Sequence, residues 1–243
     1  MNTRRSIVMT SLTAALVIGL ARPERIAAQQ VAYAATATTE LDSATQAAVA
    51  RELGRARTRG LPLQPLVAKV REGQIKRAAA QRIRVAVAAL ATRLDSARSA
   101  LGATSNTAEI VAGADAIAAG VDLGSLRAVR SAGGSRDLAA PLGALAQLVA
   151  SGVDSRRATQ MIVELLRKDA GPRELLAFGN AVETDVGAGV PAEESAVFRL
   201  RAIEAQGIGG RGDLTVAAPG GNPSSLGQSG RPTVNTGGAK RKP

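Results

Sequence analysis

The sequence predicts an all-α protein built from successive helical hairpins, arranged as a short solenoid-like array or an irregular bundle. The chain of 243 residues contains two Phe, one Tyr and no Trp. Its core must therefore be filled by Ala, Leu and Val, which suits closely packed helices, whereas strands normally also use aromatic residues. The apolar residues recur at helical spacing, and no segment alternates with the period of two that indicates a strand.

The N-terminal part is predicted to be an export signal. Residues 1–28 combine a basic start, an apolar run at 7–21 and small residues suited to cleavage after Ala28, and 32–34 offers a second cleavage site. The apolar run is shorter than the roughly 20 residues that cross a bilayer, which favours a cleaved signal over an anchor. A twin-arginine signal is the alternative to a general export signal. We therefore expect a periplasmic or secreted protein without a transmembrane anchor, in which 29–42 is a linker.

The helical domain is predicted to span 43–206 and to open with a capping box. The Ser43 hydroxyl can accept from the amide of Gln46, and the Gln46 side chain can reach back to the start of the helix. The first helix should run through about Arg59, with Gly60 as a left-handed cap.

The stretch from Gly60 to Leu101 contains the longest predicted helix. After Gly73 the chain runs to Leu101 without Gly or Pro, and apolar residues alternate four and three apart along one helix face. These residues are Ile83, Val87, Leu90, Leu94, Ala97 and Leu101. Such a helix is expected to be buried along one side.

A repeated phrase, Gly-(Leu/Val)-(Pro/Asp), is predicted to connect helices. It begins at Gly60, Gly120, Gly152 and Gly189. Each glycine would close one helix at a positive φ, and the Pro or Asp would begin the next. The separations of 60, 32 and 37 residues predict one helix pair in each of the last two intervals and room for two in the first, with a further connector at 101–107.

The remaining helices are predicted from apolar periodicity and start signals. Asn106 to Glu109 can start a helix, and Pro172 opens another. The predicted segments are about 107–119, 122–131, 137–151, 154–169, 172–187 and 191–206. Residues 207–243 are rich in Gly and Pro, basic and without apolar periodicity, so we expect a disordered cationic tail.

The composition excludes several classes of chemistry. The chain contains no Cys and no His. It therefore has no thiolate nucleophile, no disulfide, no imidazole base and no zinc, copper or haem site with the usual nitrogen and sulfur ligands. We predict no cofactor and no metal site, and a catalyst would have to work with carboxylates.

Positive charge is concentrated between residues 51 and 98, which carry twelve Lys or Arg against three Asp or Glu. Such a surface can bind phosphates of an anionic polymer or lipid, and the alternative is that arginine stems cover helix edges while their heads stay in water. Without aromatic platforms for bases, specific nucleic-acid recognition is not expected. The candidate anion contacts are Arg55, Arg57, Arg59, Arg77, Arg82, Arg84, Arg93 and Arg98.

Paired carboxylates are the remaining route to catalysis, and their spacing argues against it. Glu183 and Asp185 are two residues apart, and Glu193 and Glu194 are adjacent, so neither pair shares a helix face. Glu193 and Glu194 also lie in a predicted first turn, where acids favour the helix dipole. The glycine pattern at 207–212 matches a dinucleotide-binding fingerprint by letter but lacks the preceding strand that this fingerprint requires.

Residues 60–73 read Gly-Leu-Pro-Leu-Gln-Pro-Leu-Val-Ala-Lys-Val-Arg-Glu-Gly. Together with 82–87, this segment resembles a family of uncharacterised exported bacterial all-helical proteins with a G-L-P-x-x-P-L-x-x-K-x-x-E-G segment. The resemblance implies export and a helical fold, and it assigns no activity and no functional residue. Lys69 and Glu72 lie three apart on one helix face, and we expect them to pair with each other.

The sequence as a whole predicts a non-enzymatic exported protein with an interaction or structural role in the bacterial cell envelope. Its partner would be an envelope protein that binds a surface made by adjacent helix pairs. The alternative is binding of an anionic polymer or anionic lipid through the basic face at 51–98 and the cationic tail. An enzyme would require a deep pocket lined by convergent carboxylates.

Overall fold

The computed structural model describes residues 41–206, and within this range the chain is helical without strands. The predicted all-α class is confirmed. The helices are α1 (Ser43–Thr58), α2 (Gln64–Ile75), α3 (Ala80–Leu101), α4 (Thr107–Ala119), α5 (Leu123–Gly133), α6 (Ala139–Ala150), α7 (Ser155–Arg167), α8 (Pro172–Gly187) and α9 (Ala192–Gln206). The predicted signal at 1–28, the linker up to residue 40 and the tail at 207–243 lie outside the described residues.

Successive helices alternate between two layers, which gives the predicted array of hairpins. We call the layer of α1, α3, α5, α7 and α9 the odd layer and the layer of α2, α4, α6 and α8 the even layer. Helices of one layer run parallel. In the odd layer, for example, the amide of Asp154 at the start of α7 donates to Glu193 at the start of α9, at 2.8 Å. Lys168 and Glu204 form an ion pair at the other ends of the same two helices.

The even layer shows the same parallel arrangement. The amide of Leu138 at the start of α6 donates to Glu109 at the start of α4, at 3.0 Å. Further along, Gln147 of α6 donates to the side-chain oxygen of Asn180 on α8 at 2.8 Å. Within 41–206, no helix combines the length and the apolar composition that crossing a bilayer requires.

Small residues let the helices approach each other closely. A Cβ added at Gly113 of α4 would lie 3.1 Å from side-chain atoms of both Ala97 and Leu101 on α3. A Cβ at Gly179 of α8 would lie 3.6 Å from the Cα of Ala144 on α6. The buried side chains form one apolar cluster around α1 to α4 and a second that extends from the end of α3 to α9. The core is mainly aliphatic, as the composition predicts, and Phe178 contributes a buried ring.

The four glycine connectors share one geometry, and the predicted positive φ of each glycine is confirmed. After Gly60, however, Pro62 does not begin the next helix, since α2 starts at Gln64. The φ values of Gly60, Gly120, Gly152 and Gly189 are +67°, +108°, +101° and +93°. In each turn the apolar residue after the glycine donates its amide to a carbonyl five residues earlier, at 2.9 to 3.0 Å, which is the Schellman arrangement. Asp122 then accepts from the amide of Ser125 and so caps the next helix.

The interval between Gly60 and Gly120 differs from the prediction. It holds three helices, α2, α3 and α4, instead of the four that two pairs would supply. Gly102 ends α3 at φ +92°, as expected, but the chain also breaks between α2 and α3. There Arg77 takes the left-handed position at φ +49°, and Ala78 closes the Schellman turn onto Gly73. The sequence did not locate this turn, because neither Gly nor Pro stands at it.

The predicted start of α1 is wrong by one residue, and the predicted start of α4 is confirmed. Asp42 caps α1 by accepting from the amide of Thr45 at 2.9 Å, so Ser43 is already helical. At α4, Asn106 accepts from the amide of Glu109, and the Glu109 carboxylate accepts from the amide of Asn106, which forms a complete capping box. The expected pair of Lys69 with Glu72 is present at 2.5 Å.

Asp169→Gly is expected to raise the free energy of unfolding by about 0.5–1 kcal/mol, because Asp169 is a non-glycine residue in the left-handed region. Its φ is +59°, and the amide of Ala170 donates to the Leu165 carbonyl across the turn. The substitution removes an ion pair with Arg136, but the Asp169 side chain is 91% exposed, so the loss is small. Urea unfolding measures the gain. Asp169→Ala is the control, since it removes the same ion pair without relieving the strain, and equal effects of Gly and Ala would contradict the prediction.

Candidate interaction surfaces

The eight candidate arginines do not meet at one site. On the side of α3 that faces α1, Arg98 donates to the Gly60 carbonyl at 2.7 Å and Arg59 pairs with Asp95 at 2.9 Å. Arg84 lies on the same side and lines a shallow cleft between α1 and α3 together with Arg55. Arg59 and Arg98 hold α1 and its turn against α3, whereas Arg55 bonds to Glu52 and Arg84 to Gln81 on their own helices.

The other candidate arginines are spread over different parts of the array. Arg93 lies on the side of α3 towards α4, where its positive charge partly offsets the burial that raises the pKa of Asp115. Arg57 is exposed on α1, Arg82 is exposed on α3, and Arg77 lies in the turn before α3. The stretch 51–98 therefore forms several small basic surfaces on more than one side of the array.

The candidate catalytic carboxylates Glu183 and Asp185 face different neighbouring helices. Asp185 is 2% exposed and accepts from Ser195 Oγ at 2.7 Å and from Arg199 Nε and Nη2 at 2.8 and 2.6 Å. The Arg199 guanidinium holds the pKa of Asp185 below its usual value, against the opposing effect of burial. Glu183 instead accepts from Gln147 of α6. Asp185 thus joins α8 to α9, and Glu183 joins α8 to α6.

Glu193 and Glu194 also have separate surroundings. Glu193 accepts from the amide of Asp154 and lies 3.1 Å from Arg157 Nε, so it links the starts of α7 and α9. Glu194 is exposed and lines an open groove next to this link. Among residues 41–206, no three carboxylates are close enough to hold a metal ion together.

The groove lies between α7 and α9 and encloses about 850 Å³. We call it the α7–α9 groove. Its lining residues come from both helices and are Asp154, Arg156, Arg157, Gln160, Glu193, Glu194, Val197, Phe198 and Arg201. The sequence could not reveal this groove, because its walls belong to helices separated by the whole of α8, and only their parallel packing brings them together.

The groove offers apolar contacts and charges of both signs, since Asp154, Glu193 and Glu194 line it beside its three arginines. Val197 and Phe198 are half-buried on α9, while Arg156, Gln160 and Arg201 are exposed around them. Within the described part of the chain, Arg156 and Arg201 form no ion pair, unlike Arg157, which pairs with Glu193. The groove can therefore hold an apolar side chain flanked by carboxylates.

Comparison with known proteins identifies no relative. No family model, curated protein or solved structure matches this chain. The resemblance of residues 60–73 to exported helical proteins stays a prediction.

Proposed function

We propose that this protein is a non-enzymatic exported protein of the bacterial cell envelope, with an interaction role in which the α7–α9 groove holds a segment of an envelope protein. The observation that carries the proposal is the groove itself, which combines an apolar floor with two arginines that form no ion pair within 41–206.

Polar links at both ends support a groove that exists before a partner binds. At one end Glu193 bridges the Asp154 amide and the Arg157 guanidinium. At the other end Lys168 pairs with Glu204. These links join α7 to α9 at both ends, and a preformed site costs less ordering entropy on binding than one that must assemble.

The lining indicates the chemistry of the partner segment. Val197 and Phe198 suit an apolar side chain, and Arg156 and Arg201 suit carboxylates on either side of it. Arginine and aromatic residues are also the types most often found at the centre of protein interfaces. A segment with one large apolar residue, with carboxylates opposite the arginines and a basic group opposite Glu194, fits these contacts.

The positions of the carboxylates support a non-enzymatic role. Asp185 and Glu193 each accept hydrogen bonds that join two helices, and Asp185 is closed off from the surface. A general acid or base must reach its substrate, and these groups are already committed to packing contacts.

Site-specific photo-crosslinking in cells tests the proposal. A photoreactive residue in place of the exposed Gln160 in the groove is expected to capture one discrete envelope protein, and one in place of the exposed Ala118 on α4 is expected to capture none. Arg156→Glu with Arg201→Glu should abolish the crosslink, because it places like charges opposite the partner's carboxylates.

The matched control for this experiment is Arg77→Glu with Arg173→Glu, which reverses the same number of charges away from the groove. This variant should leave the crosslink intact. Equal capture from positions 160 and 118, or a crosslinked partner that resides in the cytoplasm, would rule out the proposed function.

A further inference from the structure

We propose that the outer face of the odd layer docks on an anionic phospholipid bilayer. The two layers differ in charge. Helices of the odd layer carry fourteen Lys or Arg against six Asp or Glu, a net charge of eight positive, whereas helices of the even layer carry three against six, a net charge of three negative. Charge is therefore segregated across the thickness of the array, which the linear sequence does not show.

The positive charge of the odd layer is available for an external partner. Each helix of this layer contributes at least one exposed arginine that, among residues 41–206, lies in no ion pair. These residues are Arg51, Arg57, Arg82, Arg127 and Arg167 outside the α7–α9 groove, and Arg156 and Arg201 in its lining. By contrast, the exposed Arg55, Arg59 and Arg157 are paired with carboxylates of their own or a neighbouring helix.

The distribution of these arginines fits a surface better than a single polymer chain. Packed helices lie about 8–10 Å apart, so guanidinium groups on five neighbouring helices are spread over a broad face. A linear polyanion would contact those along its own path, whereas a layer of lipid phosphates meets all of them at once. Val85 on α3 is 57% exposed, three residues from Arg82, and can rest among the headgroups. The negative even layer would face away from the membrane.

This surface differs from the basic stretch at 51–98 that the sequence indicates. It does not include Arg59 and Arg98, which form contacts within the array. It does include arginines of α5, α7 and α9. The inference rests on the envelope location in the proposed function but not on the α7–α9 groove, because the odd-layer face extends beyond that groove.

Vesicle sedimentation with the full-length mature chain tests the inference. We expect binding to vesicles made of equal parts phosphatidylcholine and phosphatidylglycerol, no binding to phosphatidylcholine alone, and weaker binding as the salt concentration rises. The odd-layer variant combines Arg51→Gln, Arg127→Gln and Arg167→Gln, none of which lines the groove. It should bind about a hundredfold more weakly, given the contribution of each basic side chain near an anionic surface.

The control variant combines Lys76→Gln, Arg77→Gln and Arg173→Gln. It removes the same number of charges outside the odd-layer helices, so the two variants have equal net charge and the same tail. The control should bind within a few-fold of the unmodified chain. Equal weakening of both variants would overturn the inference, because net charge or the tail would then drive binding. The inference would also be overturned if the protein bound soluble polyphosphate but did not sediment with the anionic vesicles. Neither result affects the crosslink from position 160.

Discussion

Asp185→Asn is expected to lower the free energy of unfolding at neutral pH by about 3–5 kcal/mol, the usual effect of removing one partner from a buried ion pair. Asp185 is 2% exposed and Arg199 is 7% exposed. The carboxylate accepts both guanidinium hydrogen bonds and the Ser195 hydroxyl. With an amide at this position, the buried Arg199 guanidinium loses the negative charge of Asp185. Urea unfolding followed by circular dichroism measures the change.

Two further variants separate this ion pair from a general effect of substitution. Glu183→Gln lies two residues away on the exposed side of α8 and should change stability by less than about 0.5 kcal/mol. Asp185→Leu combined with Arg199→Met removes both charges, and it should recover part of the stability lost by the Asn variant. If Asp185→Asn is as mild as Glu183→Gln, the buried pair does not stabilise the last hairpin.

The same pair predicts a pH dependence. Arg199 lowers the pKa of Asp185 in the folded protein, so the carboxylate contributes stability above its unfolded pKa of about 4 and loses it as the pH falls through the lower folded value. The stability difference between the unmodified chain and Asp185→Asn should therefore shrink below about pH 4. A difference that stays constant from neutral pH into this acid range would contradict the assigned role.

The sequence predicted the array well where a local signal marks each helix end. Gly120, Gly152 and Gly189 occupy the left-handed turns that their phrase predicts, and Asp122 and Asp154 cap the following helices. Because local backbone chemistry decides these features, the residue types at each helix end are sufficient to predict them.

Prediction failed where tertiary packing overrides the local preference. Arg77 occupies a left-handed turn that its residue type disfavours, because the burial of α2 and α3 against each other outweighs a strain of about 1 kcal/mol. Asp185 was weighed only as a partner for Glu183, since nothing in the sequence links it to Arg199, fourteen residues away in the next helix. The α7–α9 groove likewise depends on which helices become neighbours.

Glu109→Ala is expected to lower the free energy of unfolding by about 3–5 kcal/mol, because one buried carboxylate joins three helices. Glu109 is 3% exposed and closes the capping box of α4 with Asn106. Its Oε1 also accepts from Arg130 Nη2 of α5 at 2.8 Å and from the amide of Leu138 at the start of α6 at 3.0 Å. Removal takes the acceptor from the buried Leu138 amide and from the partly buried Arg130 guanidinium, and it frees the first turn of α4.

Glu109→Gln and Asp115→Asn give this experiment a graded comparison. The side-chain oxygen of Gln can still accept from the backbone amide of Leu138, but its NH₂ group would face the backbone N–H of Asn106. We therefore expect the free energy of unfolding to fall by about 1–3 kcal/mol. Asp115→Asn on the same helix should change stability by less than about 0.5 kcal/mol, since Asp115 is exposed. Amide hydrogen exchange at Leu138 should speed up in Glu109→Ala, change less in Glu109→Gln, and not change in Asp115→Asn. Unchanged exchange at Leu138 in Glu109→Ala would show that the carboxylate does not hold α6 against α4, and that the contact between the two helices depends on apolar packing alone.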